Sequence, residues 1–491
     1  MTYRPRPVSG FPEHLPEVRM EELQMLDRIR ATFESYGFAS IETPSVEVLE
    51  VLLAKGETDK EIYTIERLQA PLGENEEEVE EHENTSQHDT RLGLHYDLTV
   101  PFARYVAQHF NELVFPFKRY QMQRVWRGER PQAGRFREFT QCDIDVIGID
   151  NLAVTFDAEL AAVAMQALDA IGVSGVTLHI SNRKILNGFL LGLEIPTELH
   201  IPIVRMIDAM PKIGTPETSK QLLGILGDGR RTQIDSGTQL PSESLRDQIA
   251  AATGRGETLE RLIATAGGVN EEPPNVKAIV ALASIKVPGS KLRSSVAPLN
   301  VHHPLFDEGL NELAIVMDQL RALGIENVVA DLSIARGFDY YTGTVYEGRF
   351  DDNPGFGSIV AGGRYDDLAG AFINKKLPGV GISIGFSRLF AKLLADKAIA
   401  ATRRSPADLL IVLPSEERRE AMLVTAQALR ARGFKVETYH APQKIAKQMS
   451  YAEKKGIPFV WFPPFDEVGS HEVKDMTNGT QTKADIETWK P

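Results

Sequence analysis

The spacing of apolar residues along the chain predicts its first elements. Apolar side chains recur at roughly helical intervals at positions 18, 23, 26, 29 and 33, which predicts a helix over 17–36 that ends before Gly37. Segment 39–44 then predicts a strand that ends at Pro44, because proline cannot donate a ladder hydrogen bond. Further along, 153–170 is alanine-rich with apolar residues at helical intervals, and 176–181 alternates as a strand does. Helices and strands are therefore mixed from the start of the chain.

The pattern changes between about 195 and 300. Several short helical patterns occur there, with prolines at 273, 274 and 288 and without an obvious catalytic cluster. We interpret this region as an inserted helical domain, and a passive spacer is the alternative. Residues 328–350 and 357–386 then alternate polar and apolar positions around a turn-rich Asp-Asn-Pro-Gly segment, which predicts antiparallel strands.

The last part of the chain predicts a small domain of its own. After an Arg-Arg-Ser-Pro linker at 403–406, strands at 409–413, 435–439 and 459–462 alternate with helices at 416–431 and 443–455. That alternation is typical of an α/β domain with a mainly parallel sheet. The predicted fold class is an α+β domain with an antiparallel sheet, a helical insertion domain and a C-terminal α/β domain.

Composition narrows the class of protein. A length of 491 residues predicts two to four domains, and 42% hydrophobic with 25% charged residues is typical of a soluble globular protein. The single cysteine, Cys142, excludes an internal disulfide and favours a reducing cytoplasm. No apolar run is long enough to span a membrane, and the N-terminal residues lack the apolar core of a signal peptide. We therefore expect a cytoplasmic protein without a membrane partner.

Charge is distributed unevenly along the chain. The formal net charge is −14, which by itself argues against a nucleic-acid partner. However, Glu74–Glu83 alone contributes seven negative charges, whereas 115–137 carries seven lysines and arginines against the single Glu129. The basic residues are Lys118, Arg119, Arg124, Arg127, Arg130, Arg135 and Arg137. A positive field is thus predicted around this segment, and no function is assigned to the acidic one.

The same basic segment leads into a polar strand. Arginine holds phosphate better than lysine because its planar fork of donors matches two phosphate oxygens at once. In the following strand, Gln141, Asp143 and Asp145 share one face and could converge on a small polar ligand. The alternative is an amphipathic hairpin whose charges are only solvated.

Four motifs in order resemble class II aminoacyl-tRNA synthetases, in particular the histidine-specific branch. They are the Arg-x-Glu and Gly-Arg-x-Arg-x-Phe loop within 124–148, Asp-Leu-Thr at 97–99, Ala-Arg-Gly-Phe-Asp-Tyr-Tyr-Thr-Gly at 335–343, and Ala-Gly-Gly-Arg-Tyr-Asp at 361–366. The resemblance extends from about Gly10 to the end of the chain. It implies ATP-dependent activation of histidine to histidyl-adenylate and transfer of histidine to its tRNA.

The resemblance implies a domain order and partners. Residues 1–194 and 301–402 would form the catalytic core, 195–300 the helical insertion against the tRNA acceptor arm, and 406–491 the anticodon-binding domain. Motif 1, around 17–44, would form the interface of a homodimer. The expected partners are histidine, ATP and the histidine tRNA.

The resemblance also implies an ATP site. Arg127 would hold the α-phosphate and the substrate carboxylate, and Arg388 would reach the γ-phosphate. Glu129 and Phe139 would take the adenine, by its exocyclic amine and by stacking, and Arg135 belongs to the same site. Magnesium would enter bound to ATP, and no metal ligand is predicted among the protein side chains.

A histidine site is implied beside it. Arg336 would be a second cation near the α-phosphate, in the place where other class II enzymes have a metal ion. Tyr340 and Tyr341 would border the pocket, and Tyr341 and Asp145 would address the two imidazole nitrogens. Three polar side chains would receive the α-ammonium group, namely Asp97, Thr99 and Gln141. The groups expected to act in catalysis are Arg127, Arg336, Arg388 and Gln141.

Two departures from the family pattern affect this transfer of roles. Asp97 and Asp145 stand where many bacterial members have glutamate, which predicts a pocket with closer walls. Ser387 stands before Arg388 where glutamate is common, so the partner of Arg388 is left open. The alternatives are a non-catalytic regulatory paralogue, disfavoured because the motif arginines are kept, and a synthetase for proline, threonine or glycine.

Overall fold

The computed structural model describes residues 4–53, 62–66, 91–131, 134–235, 273–335, 337, 340–367, 369–370, 372–464 and 469–491. The acidic segment Glu74–Glu83 and Arg336, both singled out from the sequence, lie outside these residues. The chain divides into two compact units, one of residues 31–389 and one of residues 1–30 with 390–491. None of the helices in the described ranges combines the length and the apolar composition needed to cross a membrane.

Helices and strands are numbered here in chain order. The α-helices of the described residues are α1 Pro16–Ser35, α2 Leu49–Leu53, α3 Thr99–Gln108, α4 Thr155–Ala170, α5 Arg183–Gly192, α6 His200–Ile213, α7 Thr215–Asp235, α8 Pro274–Ala283, α9 Leu292–Val296, α10 Pro304–Ala322, α11 Phe386–Ala395, α12 Arg419–Ala431 and α13 Ile445–Lys455. The strands are β1 Ala39–Ser40, β2 Val46–Val48, β3 Thr64–Ile65, β4 Leu92–Leu94, β5 Phe117–Trp126, β6 Glu138–Ile147, β7 Val176–Asn182, β8 Lys286–Val287, β9 Val328–Asp331, β10 Thr344–Phe350, β11 Val360–Tyr365, β12 Gly379–Ile384, β13 Leu409–Ile411, β14 Val436–Thr438, β15 Phe459–Phe462, β16 Glu472–Asp475 and β17 Gln481–Lys483.

A nine-stranded sheet forms the base of the larger unit. Its strand order is β1-β5-β6-β12-β11-β10-β7-β9-β8. The strands from β5 to β7 in this order pair antiparallel, whereas β1 pairs parallel to β5 and β7 pairs parallel to β9. The antiparallel sheet predicted from the alternating segments is therefore confirmed.

Alternation along β6 separates apolar from polar side chains. Cys142, Ile144 and Val146 are buried apolar positions, and helix α4, itself almost entirely buried, packs on β6, β11 and β12. Successive side chains of a strand point to opposite faces, so the intervening positions 141, 143 and 145 share the other face. These three polar residues are also buried, so the sheet carries polar groups where burial is costly.

Helices α5 and α10 pack closely through two glycines. A Cβ on Gly188 would lie 2.2 Å from the backbone nitrogen of Phe306, and one on Gly309 would lie 2.7 Å from that of Ile185. Any larger side chain would force the two backbones apart. The helix pair therefore depends on the absence of side chains at both positions.

The region predicted as a helical insertion is helical in most of its described residues. Helices α6, α7 and α8 lie within it. However, Lys286–Val287 forms β8 and pairs antiparallel with β9 as the last strand of the large sheet. The chain thus returns to the sheet before position 300, which the sequence pattern did not indicate.

The C-terminal sheet has the order β14-β13-β15-β16-β17. The predicted parallel arrangement is confirmed for β13, β14 and β15, and their buried core includes Leu409, Met422 and Trp461. Strands β16 and β17 add an antiparallel hairpin that the sequence did not predict. Their polar composition resembles that of a loop, and antiparallel neighbours need no helical crossover.

Candidate active site

One cavity in the larger unit brings together residues from distant parts of the chain. Its lining includes polar side chains that come from the start of α3, from β6, from the segment before β10 and from β12, namely Thr99, Asp143, Asp145, Tyr340, Tyr341 and Ser383. Four of these were assigned to the histidine site from the sequence. Asp143 had been noted only for its position on the strand face, and Ser383 had not been considered.

Asp145 lies in a buried ion pair. Its Oδ2 is 2.7 Å from Nη2 of Arg119, and its Oδ1 accepts a hydrogen bond of 3.0 Å from the hydroxyl of Tyr365. Gly381 leaves the necessary space, since a Cβ there would lie 2.0 Å from Oδ1. Burial raises the pKa of Tyr365 well above its ordinary value, and the neighbouring charge of Asp145 adds to that shift, so the hydroxyl stays a donor.

Arg119 does not belong to a phosphate-facing surface. The sequence analysis counted it in the positive field of 115–137, but its charge is buried and paired. The pairing of β5 with β6 sets Arg119 directly opposite Asp145, and its side chain is fully buried with the guanidinium 4.1 Å from the centre of the Phe102 ring. Its charge is used within the protein, against a carboxylate, rather than on a phosphate.

Asp143 was grouped with Gln141 and Asp145 as a possible ligand contact in the sequence analysis, but it was given no role of its own. It is buried directly across from Ser383 in the β6–β12 pair. Burial raises the pKa of Asp143 to about 7; Asp145 and Asp97 also raise it, while Arg119 and Ser383 lower it. The signal in the sequence was a third polar residue on the face shared by positions 141 and 145.

In the described structure, the side chain of Gln141 is hydrogen-bonded through its amide nitrogen but not through its amide oxygen. Its Nε2 donates a hydrogen bond of 2.6 Å to Oγ of Ser383 and lies 3.5 Å from Oδ1 of Asp143. Its Oε1 is buried and has no hydrogen-bond partner among the described residues. A buried acceptor without a donor is costly, so this oxygen is suited to receive a donor from a ligand.

Two glycines make room for the tandem tyrosines. Gly337 has a φ of +61°, and a Cβ there would lie 2.3 Å from the ring of Tyr341; a Cβ on Gly363 would lie 2.6 Å from the same ring. The rings of Tyr340 and Tyr341 are 4.2 Å apart between centres. Burial raises the pKa of Tyr341 well above its ordinary value, so its hydroxyl stays neutral beside the cavity.

The Asp-Leu-Thr segment is tied to the arginine-rich hairpin. Oδ1 of Asp97 accepts a hydrogen bond of 3.2 Å from the backbone nitrogen of Val100 at the start of α3. Nε of Arg127 donates to the carbonyl oxygen of Tyr96 at 3.0 Å. Arg127 therefore contacts the segment that carries both Asp97 and Thr99.

The hairpin formed by β5 and β6 carries the other predicted ATP residues. The Arg127 guanidinium lies 5.0 Å from the centre of the Phe139 ring. Nη1 of Arg135 is 3.8 Å from a carboxylate oxygen of Glu129, and Arg137 donates to the Glu129 carbonyl at 3.2 Å. A ring, a carboxylate and three arginines are thus close together on one hairpin, as an adenine and phosphate site requires.

Arg388 is bound by backbone carbonyl groups. Its guanidinium donates to the carbonyl oxygens of Phe356 and Ser358 and lies 4.9 Å from the centre of the Phe356 ring. Ser387 has a different partner, since its Oγ accepts a hydrogen bond of 2.8 Å from the backbone nitrogen of Thr140. The helix that carries Arg388 is therefore joined to β6 through the serine that replaces the usual glutamate.

Comparison with known families identifies the class. A family model described as histidyl-tRNA synthetase matches residues 10–210 and 239–389, and one described as an anticodon binding domain matches 408–489. The chain belongs to the histidyl-tRNA synthetase family. The fold class predicted from the sequence, including the C-terminal anticodon-binding domain, is confirmed by these matches together with the two sheets.

Individual relatives match the histidyl-tRNA synthetase family over the full chain. A histidine–tRNA ligase of Thermobifida fusca (strain YX) is 51% identical over 486 residues, which covers 99% of this chain and 98% of the relative. One from Micrococcus luteus is 40% identical and covers 99% and 96%. The crystal structure of histidyl-tRNA synthetase from Nostoc sp. PCC 7120 superposes with a TM-score of 0.79 at 33% identity, covering 98% of this chain and 97% of that one.

A regulatory relative shares only the fold. A solved structure described as an ATP phosphoribosyltransferase regulatory subunit/histidyl-tRNA synthetase from Bacillus halodurans C has a TM-score of 0.66 at 19% identity. Identity that low relates architectures and not activities. The regulatory alternative therefore finds no support, whereas the ligases match at 40–51% identity over 99% of the chain.

Proposed function

We infer that this chain is a histidine–tRNA ligase, which uses ATP to convert histidine into histidyl-adenylate and then transfers histidine to the 3′ end of its tRNA. The observation that carries this conclusion is 51% identity to a histidine–tRNA ligase over 99% of the chain. The cavity fits that substrate, because it combines buried carboxylates with neutral tyrosine hydroxyls. Carboxylates suit an ammonium group, and a hydroxyl with a carboxylate suits the two nitrogens of a neutral imidazole.

The histidine would lie with its imidazole at the floor of the cavity. Asp145 accepts from one ring nitrogen and the Tyr341 hydroxyl pairs with the other, while Tyr340 borders the ring. The ion pair with Arg119 supports this role, because it holds the Asp145 carboxylate in position. The α-ammonium group would then face three residues near the entrance, Asp97, Thr99 and Gln141.

ATP would bind along the β5–β6 hairpin, with magnesium as part of the nucleotide substrate. Arg127 addresses the α-phosphate and the histidine carboxylate, Phe139 and Glu129 take the adenine, and Arg135 adds charge beside them. Arg388 reaches the γ-phosphate after exchanging its present carbonyl partners for phosphate oxygens, which are stronger acceptors. The carboxylate of histidine attacks the α-phosphorus, and catalysis consists mainly of positioning and of stabilising charge on the departing pyrophosphate.

Arg336 would supply a further cation at the α-phosphate during adenylate formation. The close approach of backbone and rings at Gly337 supports this, since a residue next to that glycine can come near a ligand. Replacement by alanine should slow pyrophosphate exchange by about 10²–10³. Single-turnover transfer from preformed histidyl-adenylate to tRNA should fall much less, and equal losses in both steps would contradict the role.

The C-terminal domain would recognise the anticodon. Lys444, Lys447 and Lys454 are exposed on or beside α13 and are available to a phosphate backbone, whereas Lys455 is paired with Glu437 at 2.7 Å. A chain ending at residue 405 should keep histidine-dependent pyrophosphate exchange but charge tRNA far more slowly. Unchanged charging would remove this assignment.

We also propose a cytoplasmic homodimer. The amphipathic helix α1 followed by β1 corresponds to the motif that forms the interface in the family, and the single cysteine is buried, which fits a reducing compartment. Sedimentation at micromolar concentration should give twice the chain mass of 54.4 kDa. A monomer under those conditions would contradict the proposal.

Amino-acid-dependent pyrophosphate exchange, measured with each of the twenty amino acids, tests the main conclusion. Histidine alone should support exchange, and transfer should then require the histidine tRNA. Exchange with another amino acid would point to a different synthetase, and no exchange with any would restore the regulatory alternative.

A further inference from the structure

Asp143 and Asp145 lie on the same strand face but have different partners. Asp145 is paired with Arg119 at 2.7 Å. Among the residues the structure describes, no lysine, arginine or histidine nitrogen lies within 4.0 Å of the Asp143 carboxyl group, although it is buried. The ionisable groups that act on it are Arg119 on β5, Asp145 on its own strand and Asp97 before α3; Ser383 contacts it from β12. The cavity therefore holds more carboxylates than cations in its described part.

The hydrogen bonds around Ser383 set the direction of the Gln141 amide. A serine hydroxyl has one proton to donate, and an ionised carboxylate can only accept. Nε2 of Gln141 donates to the Ser383 oxygen at 2.6 Å and to Oδ1 of Asp143 at 3.5 Å, so these two acceptors together hold the amide nitrogen on their side. Oε1 of Gln141 is consequently turned away from Ser383 and has no partner in the described structure.

We propose that Asp143, together with Ser383, is a positioning and specificity residue that directs the Gln141 carbonyl toward the substrate α-ammonium group and supplies the negative charge opposite it. This rests on the proposed function, because the ammonium group is that of histidine. An ammonium group supplies donors to the Gln141 oxygen and a positive charge to a carboxylate that has no ion-pair partner among the described residues. One ligand group thus satisfies both the oxygen and the carboxylate.

Burial and like charges also make this arrangement dependent on pH. They raise the pKa of Asp143 to about 7. Below that pH the carboxyl group is protonated, so it carries no charge and can itself donate to Oε1 of Gln141 if the amide group turns over. The ammonium subsite would then lose both its charge and its acceptor, so affinity for an ammonium ligand should fall as the pH drops below about 7.

Asp143→Asn tests the proposal, because it keeps size but removes the charge and can donate to Ser383. Two competitive inhibitors of histidine-dependent pyrophosphate exchange serve as probes: histamine, which carries the ammonium group, and 4-ethylimidazole, which lacks it. Histamine should bind roughly 10–100-fold more weakly to the variant, as expected for loss of a charge-assisted hydrogen bond, and 4-ethylimidazole should change less than about twofold. Asp169→Asn, an exposed aspartate on α4, is the matched control and should alter neither.

The pH profile distinguishes positioning from a general structural defect. Titration of the ligand itself is common to both enzymes, so the ratio of histamine affinities, wild type over Asp143→Asn, should fall toward one as the pH drops from 8 to 6. Ser383→Ala keeps the charge of Asp143 but removes the hydroxyl that accepts from Nε2 of Gln141. It should weaken histamine binding and again spare 4-ethylimidazole.

Two outcomes would overturn the proposal. One is equal weakening of both inhibitors by Asp143→Asn, and the other is a ratio independent of pH. If wild-type enzyme shows no histidine-dependent exchange at all, the proposed function itself fails, which is a separate result.

Discussion

Two buried glutamines show how the two units of this protein differ. Gln448 in the C-terminal domain is fully buried, and its side chain is completely bonded: Oε1 accepts from the backbone nitrogen of Leu413, and Nε2 donates to the carbonyl oxygens of Leu413 and Gln443. Gln141 in the catalytic unit is almost as buried, but its Oε1 has no partner among the described residues. The Gln448 amide is fully hydrogen-bonded within the core, whereas the Gln141 oxygen is available to a ligand.

Two carboxylates repeat the contrast. Burial alone would raise the pKa of Glu437, but hydrogen bonds from Lys455, Tyr451 and Ser405 together hold it below its ordinary value. Burial raises the pKa of Asp143 to about 7, since its nearby partners do not offset the loss of water. A folding domain satisfies its polar groups internally, while a binding site keeps unmet charge and hydrogen-bonding capacity for its substrate.

The largest effect is expected when Asp145 loses its ion-pair partner Arg119. Arg119→Leu leaves Asp145 buried without its cation, which should lower the free energy of unfolding by about 3–5 kcal/mol in urea denaturation. Arg124→Leu in the same hairpin is the control, because the Arg124 side chain is exposed and pairs made by exposed side chains contribute under about 1 kcal/mol. Similar losses in both variants would show that burial of the Arg119 pair does not matter.

Asp145→Asn addresses the imidazole end of the cavity. It replaces an acceptor with a group that can present a donor to the ring nitrogen and to Arg119. Loss of the charge-assisted contact should lower kcat/KM for histidine by a factor that corresponds to about 2–4 kcal/mol of transition-state stabilisation. The KM for ATP should change little. Normal histidine kinetics in this variant would limit Asp145 to a structural role.

Matched replacements of the two glutamines test the comparison itself. Gln448→Leu leaves the buried backbone N–H and carbonyl groups of Leu413 without their hydrogen-bond partner. It should reduce the free energy of unfolding by about 1–3 kcal/mol without altering histidine-dependent exchange. Gln141→Leu removes an unpartnered oxygen, so stability should change by less while the KM for histidine rises. The reverse pattern, measured by denaturation and exchange together, would show that the amides have been assigned the wrong way round.

The smallest effect concerns pH. The folded-state pKa of Asp143, about 7, lies above the ordinary value of 3.8 for an aspartate, so the folded protein binds this proton more tightly than the unfolded chain. Its contribution to stability is fully present below the unfolded-state pKa and is lost as the pH rises through 7. Between pH 6 and pH 8 the wild type should lose about 1 kcal/mol more than Asp143→Asn. Parallel stability curves would contradict the raised pKa.

The sequence alone determined the elements that depend on local pattern. Helix α1, the hairpin with its arginines and the alternating strands and helices after 408 follow from residue spacing, because helical and strand periods are local properties. The four motifs at 97–99, within 124–148, at 335–343 and at 361–366 indicated the histidine branch. Four of the polar residues lining the cavity, Thr99, Asp145, Tyr340 and Tyr341, were found in this way.

Only the tertiary structure decided which charges meet. The partner of Gln141 is Ser383, 242 residues away in the sequence, and no local period reports a contact of that kind. Arg119 was only one of seven basic residues in the sequence, and the pairing of β5 with β6 set it against Asp145. Asp143 gained its candidate role from burial between two strands, since desolvation and neighbouring charge, and not residue type, determine what a carboxylate does.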